Sequence, residues 1–129
     1  MMRLRRRAPI SDGAAVMTSP EVLEKYLPVT RVFRFTDGNW ACLSGQEEDD
    51  SRPTWVHFSH IAELDRSLRR VRLHPGEYVL RTWSNFTWRR FGPVDGDHLD
   101  ELLGTGRIDD QQNEMERIET VRKDGSSTE

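Results

Sequence analysis

The sequence contains one cysteine, Cys42, in 129 residues. No intramolecular disulfide can form, which fits a reducing compartment. Set in the apolar run WACLS, the thiol reads as a small buried hydrophobe. Long apolar runs are missing as well. No stretch approaches the ~20 residues that a membrane-spanning helix requires. The basic opening MMRLRRRAPI leads into no apolar segment, so it cannot act as a secretory signal. Excess positive charge is also absent. The formal net charge is -3 and the pI about 5.8, whereas general nucleic-acid binders carry a basic surplus against phosphate. There is no phosphate-binding glycine loop, nucleophile elbow or metalloprotease helix. These absences together point to a cytoplasmic, non-enzymatic protein with no cofactor and no membrane partner.

Hydrophobic residues make up 35% of the chain and charged residues 32%. That is polar for a globular protein, but the apolar residues are clustered. The composition predicts one compact centre with disordered ends. Residues 1–13, with Arg3, Arg5, Arg6 and Arg7, read as a disordered basic arm. Residues 14–105 read as a single domain. Residues 106–129 read as a charged, disordered tail, because Met115, Ile118 and Val121 are too sparse for a core helix.

Within the domain, a strand is expected over Ala14 to Met17. Ser19 is a good helix N-cap, Pro20 suits the first helical position, and Pro28 should close that helix after about two turns. VTRVFRF alternates, with Phe33 and Phe35 on one side and Arg34 on the other. Asp37-Gly38 marks a two-residue hairpin turn into WACLS. TWVHF reads as another strand. HIAELDRSLRRV reads as one helix capped by Ser59, with Ile61, Leu64, Leu68 and Val71 on its buried face. HPGEYVLRTW resumes extended structure, Ser84-Asn85 turns the chain back, and VDGDHLDELLG predicts a short helix with Leu99, Leu102 and Leu103 inward. This order predicts an α+β domain: a mainly antiparallel sheet with two or three short helices packed on one face.

Several stretches, taken in order, resemble a known family. They are AVMTSPEVLE, Trp40 followed by CLSGQEED, WVHFSHIAELD, and HPGEYVLR ending at Arg81. They are similar to a bacterial family first catalogued as a domain of unknown function and later as immunity family thirty-three of the polymorphic toxin systems. The likeness spans roughly residues 14 to 83. It implies a small cytoplasmic protein that neutralises a cognate toxin by binding it, with no catalytic residues.

The stretch TWSNFTWRRF holds the first candidate site. With Ser84-Asn85 as a two-residue turn, one hairpin face collects Val79, Arg81, Trp83, Phe86, Trp88 and Arg90. The other collects Tyr78, Leu80, Thr82, Thr87, Arg89 and Phe91. A lone guanidinium is costly to bury, so the first face reads as partly exposed, with Arg81 stacked on Trp88. Trp, Tyr and Arg dominate interface hot spots, which makes Arg81, Trp83, Phe86, Trp88 and Arg90 candidate partner-binding residues. The competing reading makes the tryptophans core and lets the arginines reach past them.

The acidic run Glu47, Glu48, Asp49 and Asp50 is the second candidate. It lacks the alternation and internal glycine of a calcium loop. It reads as steering charge for a basic toxin, or simply as a solvated loop. His57 and His60, followed by Glu63 and Asp65, lack a third ligand at convincing spacing for zinc. The leading expectation is an immunity protein that occludes the active surface of a toxin. The alternative is single-stranded nucleic-acid binding, with Trp83, Phe86 and Trp88 stacking bases and Arg81, Arg89 and Arg90 holding phosphates. An exposed aromatic face would equally serve a homodimer.

Overall fold

The computed structural model describes residues 6–94 and 106–127. The first half runs β1 (Ala8–Pro9), β2 (Ala15–Thr18), α1 (Pro20–Leu23), β3 (Arg31–Arg34) and β4 (Trp40–Leu43). The second runs β5 (Thr54–His57), α2 (Phe58–Leu64), a 3-10 helix (Arg66–Arg70), β6 (Arg72–Leu73), β7 (Tyr78–Leu80), β8 (Arg89–Phe91) and α3 (Arg107–Ser127).

Six strands form one sheet in the order β5-β2-β4-β3-β7-β8. Every neighbouring pair is antiparallel except β2 and β4, which run parallel. Strands β1 and β6 form a separate antiparallel pair. The chain is therefore a single α+β domain with a mainly antiparallel sheet.

Alternation along the strands sets the two faces. Val16, Val32, Trp40, Cys42 and Val79 point to one side, where they join Phe58, Ile61 and Ala62 of α2 and Leu68 of the 3-10 helix. Phe33, Ala41, Tyr78 and Leu80 point to the other and meet Ile108 and Met115 of α3. A row of rings crosses that second face. Phe33 and Tyr78 stack at 5.6 Å between centroids, and Tyr78 and Phe91 at 5.4 Å. Each fully buried side chain of this size contributes ~1.5–3 kcal/mol. The helices thus divide between the two faces rather than sharing one, because the central strands are apolar on both sides.

Several local expectations change for physical reasons. The segment read as a disordered tail forms α3, which buries Ile108 and Met115. Polar bonds hold the rest of it. Gln112 Nε2 donates to the carbonyls of Thr30 at 3.1 Å and Arg81 at 3.0 Å, and the Tyr78 hydroxyl donates to Gln111 at 2.8 Å. Residues 6–13 of the segment read as a disordered basic arm pack onto the domain. Its Ile10 is buried, and Arg7 Nε donates to Glu77 at 2.9 Å. The β3–β4 turn has three residues, not two. Phe35 N–H donates to the Asn39 carbonyl at 2.8 Å, and Gly38 sits at φ 93, the left-handed position that closes such a loop. The helix expected over VDGDHLDELLG lies outside the described residues.

Candidate functional site

The site begins where two helices end early. Ser19 caps α1 as read, accepting from the Val22 N–H at 3.4 Å. The helix then stops after one turn, and Tyr26 turns the chain with φ 56. This left-handed conformation is uncommon for a bulky residue and stores strain. It leaves the Tyr26 side chain 72% exposed.

Helix α2 ends at Leu64, which is 44% exposed. The single helix expected through Val71 breaks at Asp65. This residue is extended, at φ -147 and ψ 96, and caps the 3-10 helix instead. Its Oδ1 accepts from Ser67 N–H at 3.1 Å and from Ser67 Oγ at 2.6 Å. Its Oδ2 accepts from Arg81 Nη2 at 2.5 Å.

Arg81 explains the break. Its side chain is 1% exposed. Nε donates to the Val29 carbonyl at 2.8 Å and Nη1 to Ser67 Oγ at 2.8 Å. The guanidinium carbon lies 4.0 Å from the Trp88 ring centroid and 4.6 Å from that of Phe86. Burial draws its pKa below the usual arginine value, and the Asp65 carboxylate opposes that shift. A buried cation needs a partner charge and satisfied donors, and here it has both. The expected stacking on Trp88 is present. The expected exposure of Arg81 is not, because Asp65 neutralises a charge that looked unpaired in sequence.

The hairpin register matches the two-residue turn at Ser84-Asn85. Tyr78 pairs with Phe91, Val79 with Arg90 and Leu80 with Arg89. The ladder then stops: Thr82 N–H donates to the Asn85 carbonyl at 3.2 Å, closing the tip around Trp83 and Ser84, so the pairs expected beyond Leu80, Arg81 with Trp88 and Trp83 with Phe86 among them, do not form in the sheet. Thr82 Oγ1 donates to Glu119 at 2.7 Å, and Ser84 Oγ donates to Glu116 at 2.6 Å, tying the hairpin tip to α3.

Above the Arg81 bridge lies a cleft of about 270 Å³ lined by Val22, Tyr26, Val29, Ile61, Leu64 and Phe86, with Asp65 among its walls. Among the described residues five large hydrophobics stand exposed: Tyr26, Leu64 and Phe86 here, and Trp55 and Trp83 elsewhere. An apolar concavity ringed by exposed aromatic and aliphatic side chains is how a surface receives an anchoring residue.

The predicted site residues therefore separate. Phe86 and Trp83 are each 51% exposed and available to a partner. Arg90 is exposed. Trp88 is half-buried against the core, and its buried indole Nε1 finds no acceptor among the described residues. Arg81 and Trp88 are thus supports beneath the surface rather than contacts on it. Sequence reasoning placed Leu64 on a buried helix face and left Tyr26 inside the helix expected to run to Pro28, so it missed both. The Asp65-Arg66-Ser67 capping pattern was the available signal for Leu64.

The acidic run separates too. Glu47 is a structural staple, not a free charge. Its carboxylate accepts from Ser19 Oγ at 2.7 Å, Ser44 N–H at 2.9 Å, Ser44 Oγ at 2.6 Å and Gly45 N–H at 2.9 Å. Glu48 pairs with Lys25 at 3.3 Å, while Asp49 and Asp50 are exposed. His57 and His60 are exposed, and no group of three metal-ligating side chains forms among the described residues. No described helix is long and apolar enough to cross a membrane.

No family model matches the chain, and no curated protein or solved structure matches it.

Proposed function

We propose that the protein is a non-enzymatic binding module that neutralises a cognate bacterial toxin by occluding its active surface. The cleft between Tyr26, Leu64 and Phe86 carries this reading. A side chain from the toxin would fill it, with Trp83 extending the contact. The Asp65–Arg81 pair keeps Phe86 in place before the partner arrives, which limits the ordering cost of binding.

The acidic loop adds direction. Glu47 bonds to Ser19, Glu48 to Lys25, and Ser51 Oγ to Glu21 at 2.5 Å. The loop is thereby fastened to α1, whose chain leads directly to Tyr26. Asp49 and Asp50 are placed to draw in a basic partner and speed encounter. The sequence likeness to toxin-immunity proteins supports the same reading. The nucleic-acid alternative has less behind it, since the Arg81 guanidinium is committed to Asp65 and Trp88 is half-buried.

The test starts with the tagged protein as bait in a lysate of its source cells, beside a Phe86→Ala variant. The captured protein is then expressed alone and together with each form in a bacterial host. Growth arrest by the captured protein, relieved by the unaltered chain and not by the variant, is the expected outcome. A captured protein that is harmless alone, or one bound equally by the variant, rejects the proposal.

A further inference from the structure

The hairpin tip borders two hollows. The apolar cleft is lined by Phe86. The other, of about 460 Å³, opens beside Trp83, between the 44–46 loop and α3. Its walls are polar. Asp109, Asn113 and Glu116 line it from one face of α3, at helical spacing i, i+4 and i+7. Gln46 lines it from the loop, and Trp83, 51% exposed, from the hairpin.

All three walls are fixed before a ligand arrives. Glu47 holds the loop through the Ser44 and Gly45 N–H groups, both at 2.9 Å. Gly45 has φ 81, and a Cβ on it would stand 3.0 Å from Arg31 Nε and 3.1 Å from Gln112 Oε1, so glycine lets the loop come this close to the helix. Gln112 ties α3 to the Thr30 and Arg81 carbonyls. The tip is pinned by Ser84 Oγ donating to Glu116 at 2.6 Å and Thr82 Oγ1 donating to Glu119 at 2.7 Å.

The walls still offer acceptors. The side-chain amides of Gln46 and Asn113 make no hydrogen bond among the described residues. One oxygen of Asp109 holds Arg31, and its other oxygen has no described partner. Charge is offered too. Arg31 is set against Asp109 and Arg81 against Asp65, so Glu116 in the lining and Glu119 at the rim leave negative charge in excess among the described residues.

Planar acceptors on separate walls, an open indole face and surplus negative charge suit a guanidinium. That group stacks on aromatic faces, and its five donors form a rigid fork. An indole attracts a cation above its face. Arg31 is already held this way by the same helix, with Nε donating to Gln112 at 2.5 Å and Nη2 to Asp109. An ammonium is a compact point charge without the fork, and a neutral polyol draws nothing from the excess charge. We infer that this cleft receives an arginine side chain, stacked on Trp83 and hydrogen-bonded to Asp109, Asn113 and Gln46. The arginine belongs to the same partner whose apolar side chain fills the neighbouring cleft, and in this the inference rests on the function proposed above.

Heteronuclear NMR of the whole chain tests it, with N-acetyl-arginine amide as the probe. The Trp83 indole signal, assigned by its loss in Trp83→Phe, should shift saturably with a Kd on the order of millimolar. The indole of Trp55, also exposed but outside the cleft, should not respond. N-acetyl-citrulline amide has nearly the same shape without the charge and should bind roughly tenfold more weakly or worse. N-acetyl-lysine amide should fall between the two. Glu116→Gln, whose amide oxygen can keep the Ser84 bond, should weaken the arginine probe roughly threefold or more. No saturable Trp83 shift up to ~100 mM probe overturns the inference. So does equal binding of the citrulline or lysine probe, an unchanged midpoint in Glu116→Gln, or a Trp55 shift with the same midpoint. The titration needs no partner. Arginine binding without capture of a toxin therefore rejects the proposed function alone, and capture of a neutralised toxin without arginine binding rejects this inference alone.

Discussion

Replacing Asp65 with alanine should be among the most damaging single changes outside the apolar core. The substitution leaves the Arg81 guanidinium, 1% exposed, without its counter-charge. Breaking a buried pair from one side costs about 3–5 kcal/mol. The 3-10 helix also loses its cap, worth about 1 kcal/mol. Bonds from Arg81 to the Val29 carbonyl and Ser67 Oγ survive, as do its two ring contacts. The loss should therefore fall near the lower end, about 3–4 kcal/mol, a large share of the ~5–15 kcal/mol of a typical domain. With a urea m-value of ~2 kcal/mol/M, the unfolding midpoint moves down by about 1.5–2 M. Circular dichroism follows the fold, and tryptophan fluorescence follows Trp88 on the guanidinium. Asp65→Asn, which keeps a capping oxygen, should lose less. The double variant Asp65→Ala/Arg81→Leu should regain part of the loss, because the stranded cation is gone. An Asp65→Ala midpoint within ~0.5 M of the parent, or a double variant no better than the single one, would refute the assignment of Arg81 as a buried cation held by Asp65.

Four further outcomes follow from the same structure. Burial alone would raise the Glu77 pKa, but the Arg7 hydrogen bond and the His74 N–H outweigh it and hold the carboxyl below its ordinary value. Its contribution is present above the usual carboxylate pKa of ~4.3 and fades as pH falls through the lower folded value. Glu77→Gln should flatten the acid limb of melting temperature against pH, and an unchanged limb would argue against the Arg7 contact. Tyr26→Asn relieves the strain at φ 56 with little loss of burial, so the urea midpoint should hold or rise by up to ~1 kcal/mol equivalent while partner affinity measured by calorimetry drops. Glu47→Gln should cost ~1.5–3 kcal/mol in urea melts through its charge-assisted bonds. Asp49→Asn and Asp50→Asn should leave stability within ~0.5 kcal/mol and slow partner association at low salt in stopped-flow records.

What the sequence disclosed was mostly local. The Ser19-Pro20 helix start and the β3–β4 hairpin depend on neighbours in the chain, and both could be read directly. The register of the three β7–β8 pairs was also legible from the spacing around Ser84-Asn85, but the tip was not, because the Thr82 N–H to Asn85 carbonyl bond closes it around Trp83 and Ser84 instead. Features set by distant partners were hidden. Asp65 breaks a helix for the sake of Arg81, sixteen residues later, and no periodicity within the helix announces that. Among the described residues of α3 only Ile108 and Met115 are buried, and the helix is otherwise held by glutamine, glutamate and aspartate side chains reaching the sheet and the hairpin. Such a pattern looks like a solvated segment when viewed one residue at a time. At the candidate site, Phe86 and Trp83 were identifiable as aromatic residues in a polar hairpin. Tyr26 and Leu64 became visible only where two helices stop short.

The placement of α3 also bears on how the protein is made. The rings of Phe33 and Tyr78 wait on Ile108 and Met115, residues that leave the ribosome after every strand of the sheet. At synthesis rates of ~5–20 residues per second, the sheet spends seconds with one apolar face open. During that interval the ring row of Phe33, Tyr78 and Phe91 stands uncovered on the nascent chain. Aggregation during expression, and its relief by slower synthesis or by chaperones that shield apolar surface, would thus be governed by the last helix rather than by the first.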